Sequence, residues 1–223
     1  MNARTAAFTP FPAWRWSVPA RLNIGVACTD AHLGTAAAER VAMIVEDDGL
    51  GTSAITYREL AARTDRFAQL LRDLGIAAGE RVLIRLPNSI DYPTAFLGAM
   101  KRGAVSVPTS TLLTAEEVEY LAHDSGAHVI VIDKAAWTAM GPKLAGKESL
   151  HYALLSGAGE VTQFPGVTAI DLESALAAIG ACEPAADTAI DDPAYLVYTS
   201  GTTGFPKGVL HGHRSLVGRT PAA

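Results

Sequence analysis

"GERVLIRLPNSIDYPTAFLGAMKRGAVSVP", residues 79–108, changes its hydrophobic pattern twice within a short span. Val82, Leu83 and Ile84 follow one another without a polar break, as in a strand buried on both faces. "LPNS" then supplies turn chemistry. "DYPTAFLGAMKRG" reads as a helix, with Pro93 in its first turn, where a missing amide is tolerated. "AVSVP" is a second apolar run and a second strand. Strand, helix and strand in this order predict a parallel crossover unit of right-handed sense.

The same grammar extends in both directions. Upstream, "TYRELAARTDRFAQLLRDLG" (56–75) opens on Thr56 and Glu59, spaced as a capping box in which each side chain satisfies a free backbone amide. Leu60, Phe67, Leu71 and Leu74 recur along its inner face, and Gly75 marks its end. Downstream, Thr114 and Glu117 repeat the capping box at the head of "TAEEVEYLAHDSG". "AHVIVID" (127–133) is the clearest strand, and "HYALLSG", "DLESALAAIG" and "AYLVYTS" continue the alternation. Nearer the N-terminus, "RLNIGVACTDAHL" (21–33) is weakly helical, "RVAMIVED" (40–47) is a strand, "EDDGLGTSA" a turn, and "AITY" is extended again. The predicted fold is α/β, a mostly parallel sheet flanked by helices, with Phe67, Leu71, Tyr120 and Leu121 in its core. "GACEPAADTAIDDP" (180–193) is the principal loop.

Bulk properties narrow the functions. Hydrophobic residues make up 49% of the 223, enough for a sheet covered on both sides. The net charge of −5 offers no general pull on nucleic acid. The first twenty residues lack the apolar stretch of a secretory signal, and no window approaches a membrane span. These features predict a cytoplasmic, soluble chain. Cys28 and Cys182 are widely separated and show no metal spacing, so both are expected as buried free thiols.

The most chemically loaded stretch is "LVYTSGTTGFPKGVLHGHRSL" (196–216). "YLVYTS" reads as a strand that two glycines and a proline interrupt, and "GVLHGH" as a possible return strand. Gly201 and Gly204 let backbone amides approach an anion closely. Thr199, Ser200, Thr202 and Thr203 add hydroxyls, and Lys207 adds a mobile cation. In the common nucleotide P-loop the lysine follows the last glycine and a helix comes next. Here Lys207 precedes Gly208 and Val209 follows, so that architecture does not apply.

"YTSGTTGFPKGV" resembles the phosphate-binding signature of the adenylate-forming superfamily, and the likeness extends over roughly Ala38 to Leu216. Within that superfamily the chain looks most like the AMP-forming acyl-CoA synthetases. The resemblance implies a carboxylate and ATP giving an acyl-adenylate and pyrophosphate, then acyl transfer to coenzyme A. It places Thr199, Ser200, Gly201, Thr202, Thr203, Gly204 and Lys207 against the triphosphate, with Mg²⁺ accompanying the nucleotide. His213 lies where many members carry a residue near the acyl pocket, although packing in the core is the plainer role for it. Residues 1–37 read as an N-terminal extension and 38–223 as a truncated AMP-binding domain. The adenine-binding segment, the metal-binding glutamate and the adenylation lysine are not recognised, so no catalytic residue is assigned. Such a piece is expected to be inactive alone, and either to self-associate, to need a complementing chain, or to be a non-catalytic partner-binding module.

Overall fold

The computed structural model describes residues 16–47, 51–146, 149–199 and 205–222. A short helix α1 (Ile24–Cys28) precedes a hairpin of β1 (Val41–Asp47) and β2 (Gly51–Thr56), which forms a small sheet of its own. Then follow α2 (Tyr57–Asp73), β3 (Arg81–Arg85), α3 (Asp91–Arg102), β4 (Val105–Pro108), α4 (Ala115–Ser125) and β5 (Ala127–Asp133). After these come α5 (Lys134–Leu144), β6 (Tyr152–Ser156), β7 (Thr168–Asp171), α6 (Leu172–Ala178), β8 (Pro193–Thr199) and β9 (Lys207–Gly212). The main sheet has the order β7-β6-β5-β3-β4-β8-β9. Its first six strands are parallel, and β9 returns antiparallel to β8.

The unbroken apolar runs have the meaning expected of them. Val82, Ile84, Val129, Val131 and Leu154 face one side, against α2, α3 and α6. Leu83, Ile130, Ile132, Ala153 and Leu155 face the other, against α4 and α5. Each strand alternates with period two, and both of its faces are covered. Both capping boxes are formed, Thr56 with Glu59 and Thr114 with Glu117. Gly75, the predicted helix stop, adopts φ +78°. The crossover pattern read from residues 79–108 is β3-α3-β4.

Several expectations need correction. Helix α5 was not anticipated; its buried residues are only Trp137, Gly141 and Leu144. Gly141 is required there, because a Cβ would lie 2.1 Å from Phe164 Cε2. The four-residue β7 was also not anticipated. Cys182 is exposed and Cys28 only partly buried. Tyr120 lies at the margin of the second core rather than inside it.

Two polar devices join the N-terminal residues to this body. Arg21 pairs with Asp187 at 2.6 Å, and Leu22 N donates to Thr188 O at 3.1 Å. Lys101 is fully buried, and its Nζ meets Asp65 at 2.6 Å and Asp30 at 2.7 Å. Two carboxylates around one ammonium provide the pairing that a charge taken out of water demands. Among the described residues no helix is long and apolar enough to cross a membrane.

Candidate functional site

All six parallel strands end at the same edge of the sheet. The chain after β3 leads into α3 on one face, and the chain after β4 leads into α4 on the other. Neighbouring strands whose connections part in this way leave a crevice at their carboxyl ends, the usual ligand position in open α/β sheets. The crevice is present here as an open cleft of about 460 Å³, lined in part by Tyr92, Thr109, Ser110, Val197, Tyr198 and Pro206. At the end of β3, Arg85 donates to Thr111 O at 2.5 Å and so ties that strand to the segment after β4.

The stems on either side of the glycine-rich stretch meet this cleft through Val197, Tyr198 and Pro206. β8 and β9 pair in register from Leu196↔Leu210 to Thr199↔Lys207, so Thr199 and Lys207 stand opposite each other at the mouth of a loop. Both are exposed. Ser200, Gly201, Thr202, Thr203 and Gly204 lie outside the described residues. The predicted return strand is β9.

α4 reaches both stems of that loop. Tyr198 donates its hydroxyl to Asp124 Oδ2 at 2.6 Å. Burial, together with the Asp124 carboxylate, holds the Tyr198 hydroxyl protonated well above the ordinary phenol range. Tyr120 donates to Pro206 O at 3.1 Å, and its ring stacks on Phe205 with centroids 4.9 Å apart. Sequence reasoning missed Tyr120 and Asp124 as neighbours of the site. Their signal was a polar pair four residues apart on an otherwise amphipathic helix.

His213 follows β9 and is fully buried. Its Nδ1 accepts the Ile24 amide at 3.1 Å, which assigns the ring proton to Nε2. Burial keeps this imidazole below its ordinary pKa, opposed by the nearby Asp192 carboxylate. It is separated in role from Thr199 and Lys207: it ties the end of β9 to α1.

The family model described as AMP-binding enzyme matches residues 32–222. The chain belongs to the AMP-binding enzyme family. It is 40% identical over 162 residues to the long-chain-fatty-acid–CoA ligase FadD13 of Mycobacterium tuberculosis, covering 73% of this chain and 30% of that protein. It is 39% identical over 165 residues to the benzoate–CoA ligase of Thauera aromatica, covering 73% of this chain and 29% of the relative. Among solved structures, a Brucella canis acyl-CoA synthetase superposes with a TM-score of 0.76 at 27% identity, covering 89% of this chain and 34% of that one. A benzoate CoA ligase from Burkholderia xenovorans gives 0.70 at 28% identity, over 91% of this chain and 37% of that one. The α/β fold read from the sequence is therefore that of the N-terminal part of acyl-CoA synthetases. This member of the AMP-binding family spans about a third of the length of the curated relatives it matches.

Proposed function

We propose that this chain is the triphosphate-holding part of an AMP-forming acyl-CoA synthetase. The observation that carries the reading is the β8–β9 register, which sets Thr199 and Lys207 at one mouth beside the cleft at the carboxyl edge of the sheet. Thr199, Ser200, Gly201, Thr202, Thr203, Gly204 and Lys207 form the phosphate-binding set. In the reaction proposed, a carboxylate oxygen attacks the α-phosphorus of ATP and the bond to the bridging oxygen breaks, releasing pyrophosphate. The thiol of coenzyme A then displaces AMP from the acyl carbon. The loop's part is to position the β- and γ-phosphates and to neutralise charge, which is most of what phosphoryl chemistry asks of a protein.

Among the described residues no three carboxylate, imidazole or thiol groups converge as a metal site. Mg²⁺ would enter with the nucleotide and help to neutralise its phosphates. His213 is read as a packing residue and not as a contact of the acyl group, since it is fully buried and its Nδ1 is committed to Ile24. Turnover by these 223 residues alone is expected to be negligible, because the adenine, metal and adenylation-lysine functions are assigned elsewhere and such units act non-additively. A second reading, a partner-binding module completed by another chain, draws on β9, where Val209 is 44% and Leu210 57% exposed.

Thermal unfolding with and without millimolar Mg-ATP tests the proposal, since a ligand of the native state raises its stability. The wild-type transition is expected to rise and that of Lys207→Ala to stay put. Equal responses in the two proteins, or none in either, would refute the assignment.

A further inference from the structure

The β8–β9 hairpin is weakly held by the sheet it extends. Among the described residues β4 and β8 share one register pair, Ser106↔Tyr195. From Leu196 onward the hairpin runs past the end of that pairing, and its backbone ladder is its own, while the side chains of Leu196, Val197 and Tyr198 pack against the body. That ladder keeps the stems together but does not determine where they point. Apolar packing holds the entering stem near its base, and the directional contacts nearest the loop come from α4, whose Tyr120 and Asp124 lie one turn apart on one face. Asp124 takes the entering stem through Tyr198, and Tyr120 takes the leaving stem through Pro206 and Phe205.

We propose that Tyr120 and Asp124 of α4 form a clamp that fixes both stems of the 199–207 loop on the body of the domain and so aims its mouth at the cleft. The proposal rests on reading that loop as the phosphate site, and it makes both side chains positioning residues. Phe205 shows what the clamp achieves. It is 74% exposed, yet its ring is stacked on Tyr120 at an interplanar angle of 22°. An exposed aromatic held in this way reports that the backbone carrying it is held too. Fixing two stems also removes freedom that a ligand would otherwise have to freeze, so the loop binds anions at lower entropic cost.

Amide hydrogen exchange on the whole ligand-free chain, read by mass spectrometry beside Mg-ATP titrations, decides the matter. In Asp124→Ala the peptides covering 193–199 and 207–212 are expected to exchange about tenfold faster, the factor for one lost side-chain hydrogen bond. Peptides of β3 and β5 keep wild-type rates. Asp124→Asn retains an oxygen acceptor for Tyr198 and restores slow exchange, a rescue that a general packing role does not predict. Tyr120→Phe, which keeps the stack and loses the bond to Pro206, falls between wild type and Tyr120→Ala. Mg-ATP affinity follows the same order. Should Asp124→Ala fail to fold, Tyr198→Phe, which deletes one oxygen, gives the same readout. Unchanged stem exchange across the variants, or a rise shared equally by β3 and β5, overturns the clamp. No Mg-ATP response in wild type removes the phosphate reading instead, and the ligand-free exchange still judges the clamp.

Discussion

β5 and β9 are strands of one sheet, and both carry adjacent branched apolar residues. Ile130 and Ile132 of β5 are fully buried, whereas Val209 and Leu210 of β9 are among the most exposed hydrophobic residues described. The contrast comes from how each strand is reached. A parallel neighbour needs a crossover, and the crossover delivers a helix to a face of the sheet. β3, β4, β5 and β6 are linked by α3, α4 and α5, so the connections themselves cover both faces. An antiparallel return such as β8 to β9 needs no crossover and brings no covering layer. Burial in this chain follows connectivity more closely than it follows the hydrophobicity of a strand.

The sharpest test of that contrast lies in the covered half. Lys101→Ala is expected to cost about 3–5 kcal/mol in urea unfolding, because Asp30 and Asp65 are left as uncompensated partly buried charges. Next, Ile130→Ala should cost about 2–5 kcal/mol and Leu210→Ala under about 0.5 kcal/mol, two aliphatic truncations that differ only in cover. Equal losses would erase the distinction between the two regions.

Smaller effects refine it through pH. Lys134 at 2.6 Å, helped by the Ser174 amide, holds the Asp171 carboxyl down at about 2. Its folded pKa lies below its unfolded one, so the contribution is complete above about pH 4 and is lost as pH falls toward 2. Asp171→Asn should cost about 1 kcal/mol at neutral pH, after discounting for solvent screening, and progressively less in acid. At the far end of the sheet, buried His213 resists protonation that the unfolded chain accepts. Its contribution therefore stands above about pH 6.5 and declines as pH falls below it. His213→Asn should give a shallower loss of melting temperature between pH 6.5 and pH 5 than wild type. An identical slope would mean that this histidine is not held neutral.

Much of the covered half was legible because its signals are local. Thr56 with Glu59 and Thr114 with Glu117 announce two helices within four residues each, and "AHVIVID" needs no context to read as a strand. α5 escaped because Gly141 and Pro142 look like breakers until Phe164 is seen lying on the glycine. β7 has four residues, too few to show a period. At the site, the residue types of 199–207 carry the proposal of anion binding, and β9 was foreseen from the break at the two glycines and the proline. The role of Tyr120 was not, since its partner Pro206 is 86 positions away and only tertiary structure joins them.

The seam between Arg21–Leu22 and Asp187–Thr188 has a consequence in time. Its partners are 166 positions apart, a long closure that favours slow, late formation. A ribosome adding ~5–20 residues per second needs roughly 8–30 s to make the intervening chain. For that interval the first-made segment waits without its mate while α2, α3 and their strands can already assemble. The earlier-made half of this seam is thus fastened late, when the loop-bearing hairpin is about to emerge.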